Sequence, residues 1–502
     1  MSKNVHKKRI AHPLFFILPI IIFGVYIFGI NASNAKPVIL WTDALIYILV
    51  LAISGFVAYA SGKEHLRDPW RQVFQHRLGM VSLVVLMIYV AIGLLDSVHF
   101  RMPVASQQQS GETAYSGDVL SVLDLLVSPI REQEEKTYSA PFATHLFAKE
   151  TIEKDDGSRT REFPRLTYGG AHLDDPHKDK ASDIFKNMLF GTLLGLTFWA
   201  VLCILLIFMI SHHRKSAMTE TAAEVFQAKT EVPWRLIMFT VALLCVLAGM
   251  LIMLAPKYHI LGTDKVGQDV LYQAIKSIRT GLVIGTLTTL IMLPFAVMLG
   301  LMAGYLKGWI DDVIQYMYTT LSSIPGVLLI AAAVLMMQVY MANHPELFET
   351  DAERADIRLF FLCMILGVTS WTGLCRMLRG ETLKLSEVDY VQASQAFGVS
   401  KFNIIWKHIQ PNVMHIILIA IVLDFSGLVL AEAVLSYVGI GVDPTMHSWG
   451  NLINGARLEM AREPMVWWSL LAAFIFMFIL VLAANLFSDA VRDAFDPRIR
   501  KQ

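Results

Sequence analysis

Charge and cysteine are both scarce in this chain, and each scarcity excludes a class of protein. Only 17% of the 502 residues are charged, against 55% hydrophobic, and mean hydropathy is +0.53. A soluble chain of this length carries about 25% charge. Lys plus Arg equals Asp plus Glu at 42 each, so the net charge is zero and nothing electrostatic favours nucleic acid. The four cysteines, Cys203, Cys245, Cys363 and Cys375, lie in or beside apolar runs without C-x-x-C spacing. Packing is therefore their expected role, not redox or metal chemistry. No G-x-x-x-x-G-K-[ST] occurs, because "SGKEH" and "YLKGW" lack its spacing. The chain has no phosphate-cradling loop of its own, and any hydrolysis must lie in a partner. His212 and His213 are adjacent and cannot share a helix face, so they read as headgroup contacts and no metal site is expected.

What is abundant is long apolar sequence. Runs of about 18 to 25 residues match the roughly 30 Å of a bilayer's hydrocarbon, which predicts an all-α polytopic membrane protein with about ten spans. They run near Leu14 to Ile30, Ile39 to Ala60, Gly79 to His99, Met188 to Ile210, Leu236 to Ala255, Gly281 to Tyr305, Val313 to Tyr340, Leu359 to Leu374, Val413 to Ala431 and Val466 to Phe487. The basic start before Leu14 suits a signal peptide, but the apolar part is long and lacks a small-residue cleavage site; an uncleaved first span is expected. Lys and Arg of short loops place both termini in the cytoplasm, with Lys257, Lys265 and Lys276 running against that majority. The organisation expected is three spans over 1–99, an outer segment over 100–187, a fourth span and linker over 188–234, and six spans over 235–502. The outer segment has mixed charge, turn residues and no period, as a small irregular domain or a mobile loop would.

Between two of these spans lies "DYVQASQAFGVSKFNIIWKHIQPN", Asp389 to Asn412. Ser386 is spaced to cap a helix with Asp389 three positions on. Tyr390, Ala393 and Phe397 fall on one face, and Gly398 suits the left-handed residue that ends a helix. Ser400 is placed to cap a second helix whose face is Phe402, Ile405, Trp406 and Ile409, and Pro411 is expected to close it. Two amphipathic arms hinged on a glycine can lie on lipid headgroups. Alternatively, one face packs on the protein's own bundle while the other docks into a partner.

The stretch "QASQAFG…HIQPN" resembles the EAA loop of ABC-importer permeases, with Gln392, Ser394 and Gln410 departing from the family pattern. "DYV" resembles the residues before that loop in the dipeptide, oligopeptide and nickel branch. "HILGTDKVGQDVLYQAIKSIRTGL" (His259 to Leu282), "LMAGYLKGWIDD", "AEAVLSYVGIGVDPTMHSWGNLI" (Ala431 to Ile453) and "DAVRDAFDPRIR" resemble further segments of that branch, in its order. The resemblance runs from about Arg235 to Arg500. It implies an ABC type I importer permease core made by the last six spans, in a bacterial inner membrane. It also implies a second permease subunit, two cytoplasmic ATPases that use ATP and Mg, and a periplasmic binding protein that delivers substrate. This chain would bind no cofactor and catalyse nothing. The coupling loop is placed near 386–412, and Asp389, Tyr390, Ala393, Gly398, Val399, Ile409 and Pro411 would form its ATPase-docking elbow. "RDPWRQVFQHRLGMVSLVVLMIYVAIGLL" (Arg67 to Leu95) faintly resembles the entry to the family's first span, so the N-terminal region is either an appended unit or an elaborated first span and loop.

Two carboxylates are candidates for the translocation path. Asp424 sits inside a span, where such groups face a bundle interior or a water-filled cavity; Glu432 begins the Ala431 to Ile453 segment and serves either the outer mouth or a structural cap. Asp43 is nearer a span end and reads as interfacial. The competing function is an ion-coupled secondary transporter with Asp424 as its coupling site, although no internal repeat and no second buried carboxylate near Asp424 accompany it. A membrane scaffold or sensor built on the outer segment would leave the EAA-like loop unexplained.

Overall fold

Hydrocarbon offers the backbone no hydrogen-bond partners, so each apolar run must close its bonds within a helix. The computed structural model describes residues 35–62, 64–103, 115–153, 159–348 and 350–495. Among them nine helices are long and apolar enough to cross a bilayer, matching the expected runs from Ile39 onward. The run Leu14 to Ile30 lies outside the described residues.

In chain order, strand β1 (Lys36–Val38) precedes α1 (Trp41–Ser61), α2 (Glu64–Gln75) and α3 (Arg77–Asp96). The outer segment holds β2 (His99–Arg101), β3 (Leu120–Ser121), α4 (Val122–Leu126), α5 (Ser128–Arg131), β4 (Glu150–Glu153) and β5 (Arg159–Glu162). Then come α6 (Pro176–Arg214), α7 (Met218–Phe226), α8 (Trp234–Leu254), α9 (Val270–Leu306), α10 (Trp309–Ser323), α11 (Gly326–Asn343), α12 (Asp351–Ser370) and α13 (Thr372–Ser386). The chain closes with α14 (Asp389–Ala396), α15 (Lys401–Ile404), α16 (Gln410–Tyr437), α17 (Trp449–Glu459) and α18 (Trp468–Phe495). Strands β1, β2 and β3 form one antiparallel sheet and β4 pairs with β5 in another, so the sheets are small additions to a helical protein.

Helix α9 is the hub, packed by α3, α12, α13, α16 and α18. Helix α8 packs chiefly on α6. Glycines allow that pair to approach closely: a Cβ built on Gly191 would stand 2.7 Å from the Gly249 carbonyl oxygen.

The run Val313 to Tyr340, expected as one span, is two helices. Proline removes an amide and biases its predecessor to extended backbone; Ile324 has φ −89° and ψ 132°, and Pro325 starts α11. Helix α10 instead carries Asp311, whose carboxylate takes a forked bond from Arg379 of α13 at 2.6 and 2.7 Å. That hydrogen bond holds the Asp311 pKa below the usual carboxylate range.

Asp43, read as interfacial, is fully buried. Its carboxylate accepts from Arg279 at 2.6 Å and lies 2.8 Å from His99 Nδ1. Arg279 also lies 3.5 Å from Asp356 and donates to Thr42, whose hydroxyl in turn donates to Asp356. This buried ionic knot ties α1 to α9 and α12, a long-range pairing that local sequence cannot announce. Lys276, counted against the inferred orientation, is likewise no free loop charge, since it pairs with Asp96 at 2.6 Å and Asp124 at 3.0 Å.

The outer segment is bonded to the 257–269 loop over much of its length. Glu135 N donates to Gly267 O, Phe142 N to His259 O, and Gly170 N to Lys257 O. Beneath them the fully buried His259 sits 2.8 Å from Asp269 and 3.4 Å from Glu135. Burial alone would drive the His259 pKa down; hydrogen bonds and charge from Asp269 and Glu135 outweigh it and hold it up at about 9. Burial likewise pushes Glu135 up, but His259 and the amides of Tyr168, Thr167 and Gly169 bring it down to about 2.

Candidate functional site

The stretch between α13 and α16 forms a bent elbow. Its first arm, α14, does not start as the spacing suggests: Ser386 ends α13 and donates its hydroxyl to Leu383 O, while Val388 occupies the cap position without a side-chain bond. Asp389 lies in the first turn, where a carboxylate faces the positive end of the helix dipole. Gly398 then turns the chain with φ +77°. Its amide donates to Gln395 O at 3.0 Å and that of Val399 to Ser394 O at 3.2 Å, the pattern of a glycine-terminated helix. Ser400 caps α15 as expected, accepting from Asn403 N.

Pro411 does not close the second arm. Residues Ile405–Ile409 form a π turn, and Gln410 N donates to Ile405 O, so α15 runs on through the wide turn into α16. The wide turn absorbs the amide that proline lacks. The second arm is thus the stiff beginning of a membrane helix, and Gly398 is the bend between the arms.

The π turn also redistributes the face read from i, i+3, i+4, i+7 spacing, because it holds more residues per turn. Ile405 and Ile409, with Ile404 and Val391, are buried in a cluster with Met292, Leu378 and Val413. Phe402 and Trp406 point outward at 69% and 48% exposure, and Phe397 at 87%. The elbow therefore grips its own bundle with one set of apolar groups and presents an aromatic set on the surface. Of the residues expected to dock a partner, Asp389, Tyr390, Ala393, Gly398, Val399 and Pro411 are exposed, whereas Ile409 is fully buried. Tyr390 accepts from Asn412 Nδ2 at 2.9 Å, linking the arms. Phe397, Phe402 and Trp406, which spacing places on the apolar faces of the two arms without saying which groups pack, are exposed additions to that set.

The two path candidates stand apart. Asp424 is partly exposed within α16 and has no hydrogen-bond or ion-pair partner among the described residues. Glu432 is 2% exposed, accepts from Ser436 Oγ at 2.7 Å, and stands against Gly450 at the start of α17. Eight residues separate them on one helix, about 12 Å at 1.5 Å per residue, so they form no shared carboxylate site.

A family profile described as "Binding-protein-dependent transport system inner membrane component" matches residues 296–501. The chain is 30% identical over 244 residues to the glutathione transport system permease protein GsiD of Pectobacterium atrosepticum, covering 48% of this chain and 73% of that protein. It is 33% identical to the oligopeptide transport system permease protein OppC of Mycobacterium tuberculosis, covering 48% and 77%. With the dipeptide transport system permease protein DppC of Bacillus subtilis it shares 29% identity, covering 48% and 70%.

Proposed function

The chain belongs to the family of binding-protein-dependent transport system inner membrane components, and from that membership we propose how its parts work. It is the multi-pass permease subunit of an ATP-driven importer for peptides, not an enzyme. It pairs with a second permease, receives substrate from a periplasmic binding protein, and draws on ATP and Mg held by two ATPase subunits. Both termini and the elbow face the cytoplasm.

The observation that carries the coupling reading is the division of the elbow's apolar groups. Buried Val391, Ile404, Ile405 and Ile409 fix it to the bundle, while exposed Phe397, Phe402 and Trp406 are free for an ATPase groove. The ATPase must make contacts that differ between the two permease states, or its closure shifts nothing. Asp389, Tyr390, Ala393, Gly398, Val399 and Pro411 belong to the docking elbow, and Ile409 serves as its anchor. Asp424 lines the path, and Glu432 holds the α16–α17 corner. The packing of α3 on α9 and α18 supports an elaborated first span and loop: α3 opens the core, and 100–255 is an insertion carrying the α6–α8 pair.

Vesicles containing the chain and its partners test the function. Labelled tripeptide should enter on ATP and Mg, and a proton gradient alone should drive no entry. Gradient-driven entry without ATP would return the function to an ion-coupled carrier using Asp424.

A further inference from the structure

A cavity of about 710 Å³ opens beside α17, remote from the elbow. Its walls come from the loop after α16, from α17 itself, from the turn before α9, and from Tyr138 of the outer segment. Charges of both signs line it, among them Arg358, Arg457, Asp264 and Glu459.

Buried polar atoms are nearly always paired, so an orphan requires a cause. Three buried atoms without a hydrogen-bond partner belong to residues lining this cavity: the Tyr138 hydroxyl, Arg358 Nε and Glu459 Oε2. Tyr138 is only 7% exposed. Burial first, and then the adjoining Glu459 carboxylate, raise its pKa, which sets the two groups side by side although the hydroxyl completes no hydrogen bond. Glu459 Oε2 lies 3.1 Å from Arg462 Nε, close enough to share charge but without hydrogen-bond geometry.

Arg358 and Glu459 lie at opposite ends of α17, each beside a side chain of opposite charge, Asp443 and Arg462. Arg358 contacts Asp443 at 3.1 Å, and Asn451 donates to Asp443 O, which places Arg358 near the start of that helix. Glu459 is its last residue. Asn451 to Glu459 is about 12 Å of helix at 1.5 Å per residue. An extended tripeptide spans about 10 Å, so both of its charged ends come within reach of the two side chains. The amide of Asn454, on the same wall, suits the peptide backbone.

We propose that this cavity binds a short zwitterionic peptide, its ammonium at Glu459 and the Tyr138 hydroxyl and its carboxylate at Arg358. The site rests on the peptide-importer reading above and adds to it a holding place within the permease.

The test uses the complex isolated through this chain, without its binding protein, in lipid nanodiscs. Equilibrium dialysis compares radiolabelled trialanine with N-acetyl-trialanine and trialanine amide. Each block should weaken binding at least about tenfold, as loss of a charged hydrogen bond does. Tyr138→Phe should weaken trialanine binding several-fold without lowering the melting temperature, since it removes a hydroxyl that stands beside Glu459 without completing a hydrogen bond. Glu459→Gln should weaken it similarly and erase the discrimination against the acetylated peptide. Binding indifferent to the end blocks and to both variants would overturn the site. If the wild-type complex, sealed in vesicles with its binding protein, still imported trialanine on ATP in that case, the permease reading would stand while the cavity reading fell. A wild-type complex that neither bound nor imported trialanine would remove both.

Discussion

Gly398→Pro is expected to abolish ATP-driven uptake while leaving membrane insertion and abundance unchanged. Gly398 sits at φ +77°, whereas proline is fixed near −65° and lacks the amide that Gly398 donates to Gln395 O. The substitution cannot keep the angle between the arms. Nothing lies within 4 Å of a Cβ at this position, so the effect is conformational and not a clash. Gly398→Ala keeps the amide and pays only the left-handed penalty of about 1–2 kcal/mol; a partial loss of uptake is expected. For proline, whose mismatch costs about 3 kcal/mol or more, uptake should fall more than tenfold. Normal uptake by Gly398→Pro, with normal protein levels, would refute a coupling role for the bend.

Arg279→Met is expected to produce the largest loss of stability. The guanidinium is buried between Asp43 of α1 and Asp356 of α12. Removing it takes the guanidinium from two buried carboxylates, leaving Asp43 beside His99 and Asp356 bonded only to Thr42, and breaking a buried pair in this way costs about 3–5 kcal/mol. The protein should accumulate poorly and unfold at a clearly lower temperature in detergent. Adding Asp43→Asn to Arg279→Met should recover part of the loss, because one buried negative charge is then gone; a double-mutant cycle measures that coupling. A wild-type melting temperature for Arg279→Met would mean that the knot does not hold α1 to the core.

The spans were legible because bilayer crossing imposes a length and a composition that sequence displays directly. The glycine bend was legible too, since few residues tolerate positive φ and Gly398 stands between two capping signals. The rest depends on pairings that local pattern cannot carry. Pro411 looked like a helix end, and a π turn absorbed its missing amide. The same turn separated Phe402 and Trp406 from Ile405 and Ile409, residues whose spacing had placed them on one face. The outer segment has no period because its order comes from partners far along the chain, such as Glu135 with His259. Asp43 looked interfacial for the same reason: its cation, Arg279, is supplied from 236 residues away.

A photo-crosslinking residue placed at Phe397 in the assembled complex tests the central claim most directly. The account predicts a crosslink from Phe397 to a nucleotide-hydrolysing subunit, with a yield that changes when ATP is bound, and none from the buried Val391 of the same arm. A complex that imports peptide while Phe397, Phe402 and Trp406 all crosslink to lipid alone would contradict it.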